Sequence, residues 1–223
     1  MRLKSTIFSM MALAAVSGTA HANLLSNGSF EVVDGSIGVR NGIALNALSV
    51  GNQWDTYKVL PGGWNSDPLL RPVEVQNNTV IAAQDGSKYI ELESDPGNSS
   101  FSAISQSFTA AFAGNYLFQF YYAPRTSTPG DNLVNALVDN VTVTTKSGVT
   151  PAGWTLVSVI LGLTAGTHSV GFNALGSIDN TLGGFVDNVS VSAVPLPPAA
   201  LLLTSAIAGI GYIGRRRKQT VAA

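Results

Sequence analysis

Three side chains of types that contact sugars lie in two polar segments of the chain. Trp54 and Tyr57 lie in the turn-like segment 51–58, and Arg125 lies in the polar segment 124–132. Sugar rings have apolar C–H faces that stack on aromatic side chains, and an arginine donates hydrogen bonds to hydroxyl groups. We therefore expect Trp54 and Tyr57 to stack on carbohydrate, with Arg125 at the rim of the same or a neighbouring site.

A pair of carboxylates offers a catalytic alternative. Glu91 and Glu93 are two residues apart in an alternating segment, so they are expected on one solvated face of a strand. A glycosidase needs two carboxyl groups about 5–9.5 Å apart, a spacing that such a pair meets by chance. The sequence contains no G-x-S-x-G motif for a nucleophilic serine. We therefore predict that the protein is not an enzyme, with a glycan-active enzyme as the alternative.

Composition excludes several classes of site. The chain has no cysteine, and only His168 follows the N-terminal segment, so zinc sites built on cysteines or several histidines are excluded. Between Asn23 and Pro197 there are six Lys/Arg and thirteen Asp/Glu residues. This acidic body argues against binding nucleic acid, which requires basic patches. It is compatible with calcium, which requires oxygen ligands.

Short apolar or alternating segments, separated by Gly, Pro, Asn and Asp, indicate strands. Along one of them, Tyr116, Phe118, Phe120 and Tyr122 are expected to share one face. Further strands are predicted at 89–93, 137–145, 154–161, 168–173 and 185–191. Many short strands with turns between them predict an all-β sandwich.

One hexapeptide occurs twice in slightly different form. Residues 138–143 read VDNVTV and residues 186–191 read VDNVSV. Two copies with dissimilar surroundings do not make a repeat architecture, which requires a regular period. We interpret both as strands of one sandwich, each following a turn.

The N-terminus has the parts of a secretory signal peptide in the usual order. Two basic residues open the chain, an apolar run covers 7–16, and Ala20 and Ala22 form an A-x-A cleavage site. The apolar run is shorter than the about 20 residues that span a bilayer. We therefore predict a signal helix in 1–22 that signal peptidase removes, so that the mature protein begins at Asn23.

The C-terminus combines a proline motif, an apolar segment and a basic cluster. Val194-Pro195-Leu196-Pro197-Pro198 cannot enter a helix interior, residues 199–214 carry no charge, and Arg215-Arg216-Arg217-Lys218 follows. Basic residues after an apolar segment place its C-terminal end in the cytoplasm. Because 199–214 is short and rich in Ala and Gly, we expect a transmembrane helix that anchors the protein only transiently.

This order of parts resembles the VPLP form of the PEP-CTERM class of sorting tails, over residues 194–223. The resemblance implies processing by an exosortase, a membrane-embedded transpeptidase of exopolysaccharide-producing Gram-negative bacteria. It also implies transient anchoring in the inner membrane, followed by delivery to the cell surface or the extracellular space.

The body, residues 23–193, carries a series of motifs in the order found in galactose-binding-like jelly rolls. These motifs are Asn23–Glu31, Gly62–Trp64, Asp85–Leu92, Ile104–Phe108, Gly114–Phe120 and Phe185–Val191. Together with Pro72–Val75 and Tyr122–Arg125, they resemble the domain of unknown function 642 family. That family usually carries cysteines, which are absent here. The resemblance therefore implies a galactose-binding-like jelly-roll sandwich within a broader carbohydrate-binding-like group.

Two carboxylates occupy the opening and closing motifs of this resemblance. In related carbohydrate-binding modules, the positions of Glu31 and Asp187 supply ligands to a structural calcium ion, and carbonyls near Asn27 or Asp34 can complete its shell. The alternative is that Glu31 caps a turn and Asp187 bonds nearby amides. The resemblance thus implies one structural calcium ion and no other cofactor.

Taken together, these features predict an exported β-sandwich protein that binds polysaccharide in an exopolysaccharide or biofilm matrix. The expected processing partners are signal peptidase and an exosortase-type enzyme. The alternatives are a structural matrix protein without a specific sugar ligand and a glycan-active enzyme.

Overall fold

Antiparallel strands make up nearly all the regular structure of the residues that the computed structural model describes. Those residues are 22–32, 36–38, 42–48, 53–66, 71–93, 101–150, 153–175 and 178–195. Ala22–Val194 forms one compact unit. The described residues contain two short 3-10 helices, Leu45–Ala47 and Pro129–Asn132, and no α-helix.

The described strands form two six-stranded sheets. The first sheet, in spatial order, contains Gln53–Tyr57 (β1), Val73–Asn77 (β4), Lys88–Glu91 (β5), Phe185–Ala193 (β12), Gly114–Ala123 (β7) and Thr155–Leu163 (β10). The second contains Val59–Leu60 (β2), Trp64–Ser66 (β3), Ala103–Ala110 (β6), Gly166–Asn173 (β11), Val134–Val138 (β8) and Val141–Lys146 (β9).

The last eight strands pair as a jelly roll. Strand β5 pairs with β12, β6 with β11, β7 with β10 and β8 with β9, so that the pairs nest from the outermost to the innermost. The chain changes sheets between successive pairs, and β1–β4 extend both sheets on the same side. The predicted all-β jelly-roll sandwich is therefore confirmed for the described body of the chain.

The core lies between the two sheets, where one face of each strand is buried. Tyr116, Phe118, Phe120 and Tyr122 of β7 are all at most 3% exposed, as their alternation predicted. Phe172 of β11 meets Phe120 edge-on from the opposite sheet, with ring centroids 4.9 Å apart. Side chains from both sheets thus form one hydrophobic cluster.

The predicted strand at 137–145 is wrong, because these residues form the hairpin of β8 and β9. Asp139 and Asn140 both have positive φ angles, 49° and 63°. This conformation closes a two-residue hairpin turn whose twist matches that of the strands. The similar hexapeptide at 186–191 lies within β12, where the pairing with β7 shifts register after Asp187. The second copy therefore runs through a bulge and does not follow a turn.

The segment 51–58, expected to be turn-like, also differs from the prediction, because its described part contains β1. Trp54 lies opposite Gln76 of β4, and Tyr57 lies opposite Val73. The polar composition fits an edge position, because β1 has a neighbour on one side only.

Most of the predicted terminal elements lie outside the described residues. These include Ala20 of the cleavage site, Leu196, Pro197, residues 199–214, and Arg215, Arg216 and Arg217 of the basic cluster. Asn23, the predicted first residue of the mature protein, is described and is bonded to β12. Its side chain donates to Val189 O at 3.2 Å and accepts from Val191 N at 2.9 Å. Where the structure is described, it has no helix long and apolar enough to cross a membrane.

Candidate functional site

An open groove on the outer face of the second sheet is the first candidate site. We call it the sheet cleft. Its volume is about 500 Å³, within the range of about 300–1,000 Å³ typical of ligand pockets. Strands β3, β6, β8 and β11 form it, and its polar lining residues are Asn65, Ser66, Ser105, Asn140, Ser169 and Asn173.

Small residues at the outward positions of β6 and β11 produce this groove. Ser105 of β6 lies opposite Gly171 of β11 in the antiparallel register. A Cβ atom at position 171 would lie 2.8 Å from Ile104 O and 3.0 Å from the Cβ of Ser105. A glycine at position 171 therefore allows the close approach of β6 and leaves the bottom of the cleft free of a side chain. Leu137 and Leu175 provide apolar surface beside it.

The sheet cleft is polar but carries no charge, because none of its lining residues is Asp, Glu, Lys, Arg or His. Asn173 accepts hydrogen bonds at Oδ1 from Asn135 Nδ2 at 2.9 Å and from Leu175 N at 3.1 Å. This arrangement leaves its two Nδ2 donors for a ligand. Asn65 uses Nδ2 to donate to Gly63 O at 2.9 Å, which leaves its oxygen as an acceptor.

A second, smaller cavity lies on the outer face of the first sheet. This cavity, the Trp54 pocket, has a volume of about 80 Å³. Its walls are Trp54, Glu74, Gln76, Thr79, Val80, Arg125 and Thr181. The structure therefore brings together two of the three predicted sugar contacts, Trp54 and Arg125, although they are 71 positions apart in the sequence. Sugar binding by these two residues stays a prediction.

Tyr57 is the exception, and its predicted stacking role is wrong. Its side chain is 1% exposed and belongs to the core cluster. The hydroxyl donates to Ile43 O at 3.0 Å, and burial raises the pKa of Tyr57 above its usual value. The alternation of β1 explains the difference, since Trp54 and Tyr57 are three residues apart and so point to opposite faces.

A buried polar network supports the Trp54 pocket from below. Arg125 Nη1 donates to Glu91 Oε1, and Gly183 N donates to the same oxygen at 2.8 Å. Gln76 Nε2 donates to both Glu91 and Glu74, with 2.8 Å to the latter. Glu91 is fully buried and lies opposite Glu74 in the register of β4 and β5.

These contacts set the protonation of Glu91. Burial, and then the neighbouring carboxylate of Glu74, raise the pKa of Glu91 well above its usual value, while Arg125 opposes that rise. Two carboxyls and one guanidinium therefore share this network. Removing the guanidinium would leave an uncompensated buried carboxylate, which is strongly unfavourable.

The expected solvated pair Glu91 and Glu93 is wrong in its exposure. Both side chains are 0% exposed. Glu93 lies beyond the end of β5, in an isolated bridge with Phe101. Strand β5 is central in the sheet and covered on both faces, so its alternation does not mark a solvated face.

Glu31 binds the loop that precedes β5. Its carboxylate accepts hydrogen bonds from Ser87 N at 2.8 Å, from Lys88 N, and from Ser87 Oγ at 3.1 Å. Lys88 Nζ lies 3.6 Å from Oε2. Gly86 has a φ of +69°, and a Cβ there would lie 2.5 Å from the Glu31 carboxyl carbon. A glycine is therefore required for this close approach.

Asp187 binds the same loop from β12. Its Oδ2 accepts from Gln84 N at 2.8 Å and Asp85 N at 3.0 Å, and its Oδ1 accepts from Asn188 N at 2.6 Å. Burial of the fully inaccessible side chain raises the pKa of Asp187 to about 7, although the three amides favour its charged form.

These contacts fit hydrogen bonding better than a calcium shell. The carboxylates of Glu31 and Asp187 already accept bonds from backbone amides, whereas calcium takes six to eight oxygen ligands. The described residues contain no group of three or more His, Asp and Glu side chains able to hold a metal ion. A calcium ion held by Glu31 and Asp187 stays a prediction.

The sequence patterns did not predict the sheet cleft. Its signal is the run of small or polar residues at alternate positions, Ala103, Ser105, Ser107 and Thr109 on β6 and Ser169, Gly171 and Asn173 on β11. Each run is ordinary for an exposed strand face. Only the pairing of β6 with β11 turns two such runs into one groove.

Comparisons with known proteins add the following. No family model matches the chain, and no curated protein matches it. A family 61 carbohydrate-binding module in complex with β-1,4-galactotriose is similar, with a TM-score of 0.45, 16% identity and coverage of 78% of this chain and 99% of that one. A family 35 carbohydrate-binding module from Clostridium thermocellum has a TM-score of 0.41, 18% identity and coverage of 64% and 99%.

Proposed function

We propose that this protein binds neutral polysaccharide through the sheet cleft. The observation that carries this proposal is an open groove of about 500 Å³ whose polar lining consists of uncharged amides and hydroxyls. Sugars present hydroxyl groups that both donate and accept hydrogen bonds, so that amides and hydroxyls match them. The apolar surface of Leu137 and Leu175 matches the C–H faces of the rings.

The absence of charge in the lining selects against charged ligands. A uronate or phosphate group would lose hydration on entering the cleft without gaining a cationic partner from the lining residues. A neutral hydroxyl group loses less hydration free energy and regains hydrogen bonds from the amides and hydroxyls of the lining. The cleft therefore favours neutral polysaccharide over acidic polysaccharide.

The two ends of the chain support an exported location for this activity. We infer that signal peptidase removes residues 1–22 and that an exosortase-type enzyme processes the tail after Val194-Pro195-Leu196-Pro197. The basic cluster at 215–218 would remain on the cytoplasmic side of the inner membrane during this step. The protein would then act at the cell surface or in an exopolysaccharide matrix.

Affinity electrophoresis of the exported protein in gels containing soluble neutral polysaccharides tests the proposal. Ser105 is exposed, so that Ser105→Trp fills the cleft without entering the core. The matched control is Thr109→Trp, an exposed position on the same face of β6, about 14 Å further along the strand. The wild type and the control should be retarded, and Ser105→Trp should bind at least tenfold more weakly.

Two results would contradict the proposal. Equal retardation of Ser105→Trp and the wild type would place any binding elsewhere. No retardation of the wild type on any neutral polysaccharide would favour a structural matrix protein without a sugar ligand.

A further inference from the structure

The Trp54 pocket and the sheet cleft lie on opposite outer faces of the sandwich. Gln76 projects from the first sheet away from the core, because its neighbour Val75 is in the core cluster, and Trp54 shares that face because it lies opposite Gln76. Ser105 projects outward from the second sheet in the same way, since Ile104 is buried. Stacked sheets lie about 10 Å apart, so the two cavities open in opposite directions on one small domain.

The Trp54 pocket has the groups that bind the edge of one sugar ring. Trp54 is partly exposed and supplies an aromatic face. Glu74 and Gln76 line the cavity although they are only 3% and 1% exposed. The amide of Gln76 donates to Glu74 and Glu91 and accepts from the Tyr89 hydroxyl, so it holds this wall in place. The side chain of Arg125 is 22% exposed, and its described contacts, with Glu91 and the Thr181 carbonyl, use Nη1 alone.

Size and charge together restrict the ligand of this pocket. A volume of about 80 Å³ is far below the about 300–1,000 Å³ of pockets that enclose a whole ligand, so the pocket takes part of one sugar and not a length of chain. The network holds two carboxyls, Glu74 and Glu91, against one guanidinium, Arg125. The network therefore has no net positive charge even when the buried Glu91 is protonated, so a negatively charged sugar gains no net attraction, whereas the hydroxyls of a neutral sugar can bond to both carboxylate and guanidinium groups.

We propose that the Trp54 pocket is a second saccharide site that takes the terminal sugar of a neutral chain, so that one monomer cross-links two polysaccharide chains. The cross-linking part rests on the proposed function of the sheet cleft. Two sites facing away from each other cannot engage the same short stretch of glycan. They join separate chains, which would make the protein both a polysaccharide binder and a structural component of a matrix.

Agglutination of polysaccharide-coated beads tests this inference. The probes are beads coated with β-1,4-galactan, β-1,4-mannan or dextran, with polygalacturonate as the anionic probe. The exported protein, shown to be monomeric by light scattering, should agglutinate beads of at least one neutral polysaccharide and none coated with polygalacturonate. Ser105→Trp and Trp54→Ala should each still bind the beads, with an apparent affinity lower by about 100-fold or more, and fail to agglutinate them.

Further variants separate local effects from loss of folding. Val80→Trp blocks the same pocket from a position that is 43% exposed. It replaces Trp54→Ala in the test if that variant has a lowered melting temperature. Thr109→Trp and Val59→Ala change exposed residues that line neither cavity, and both should agglutinate beads like the wild type. The double variant Ser105→Trp/Trp54→Ala should not bind.

The outcomes distinguish the two proposals. If Ser105→Trp does not bind beads at all while Trp54→Ala does, the pocket is not a saccharide site, and the cleft proposal stands. If Trp54→Ala and Val80→Trp, both folded, do not bind while Ser105→Trp does, the proposed function of the cleft fails. Agglutination by either single-site variant, whether from a dimer or from another site, overturns the cross-linking inference.

Discussion

Replacing Arg125 with methionine should destabilise the protein in a pH-dependent way. Arg125 pairs with Glu91, which is 0% exposed and has no access to water. Removing one partner of a buried ion pair typically costs about 3–5 kcal/mol, because the other charge is left uncompensated. For a domain of this size, 1 kcal/mol corresponds to about 2–4 °C in Tm, so we expect a decrease of roughly 6–20 °C at a pH where Glu91 is ionised.

The pH dependence follows from the pKa of Glu91. In the folded state this pKa lies well above its usual 4.5, and the loss of Arg125 raises it further. A carboxyl with a raised folded-state pKa loses stability as the pH rises from its unfolded pKa through its folded one. The Arg125→Met variant should therefore be closest to the wild type at the acid end of the range, and should fall below it as the pH rises through the wild-type folded-state pKa of Glu91.

Thermal unfolding followed by circular dichroism, from pH 4.5 to 8, measures this effect. Lys58→Met, which removes an exposed cation, is the matched control and should change Tm by less than about 2 °C. Adding Glu91→Gln to Arg125→Met removes the uncompensated charge, so the double variant should recover most of the decrease in Tm. A decrease of the same size at every pH, or no recovery in the double variant, would refute the uncompensated charge as the cause.

Four further predictions concern other parts of the molecule. The unfolding free energy should fall as the pH rises from 3.8 to about 7, because burial raises the folded-state pKa of Asp187. When Tm is measured across this pH range, Asp187→Asn should remove the part of the decrease that Asp187 causes; an unchanged dependence of Tm on pH would contradict this prediction. Trp64→Ala should cost about 3–5 kcal/mol in denaturant unfolding, because its ring is 0% exposed; a cost below about 1 kcal/mol would contradict its core position. Melting temperatures with saturating calcium and with chelator should be equal if Glu31 and Asp187 only bond the loop before β5 and hold no ion; a calcium-dependent increase that Asp187→Ala abolishes would establish the calcium site. Intact mass of the exported protein should show a chain that begins at Asn23 and lacks the cluster 215–218; retention of that cluster would refute exosortase-type processing.

The alternation of apolar residues predicted the strands that have one buried face. In β7, aromatic residues from Tyr116 to Tyr122 occupy every second position, and all of them enter the core. Strand β5 is different, because Glu91 faces a second layer made by Arg125 and Gln76. A pattern in one strand does not reveal that residues far along the chain will cover its other face.

The two similar hexapeptides show how context decides local structure. Val141 follows a hairpin turn and is 66% exposed, whereas its equivalent Val189 lies in a bulge of β12 and is 1% exposed. The sequences differ only at one Thr/Ser position, so the difference comes from the neighbouring strands. For the same reason the sheet cleft could not be predicted, since it needs the register of Ser105 against Gly171.

Nuclear magnetic resonance titration tests the central claim, polysaccharide binding in the sheet cleft, most directly. A neutral oligosaccharide chosen from the electrophoresis result is added to the labelled exported protein, and amide shifts are followed. We predict saturable changes centred on Ser105, Ser169, Gly171 and Asn173, which line the cleft. Saturable changes confined to residues away from the second sheet, or no changes at millimolar sugar, would contradict the account.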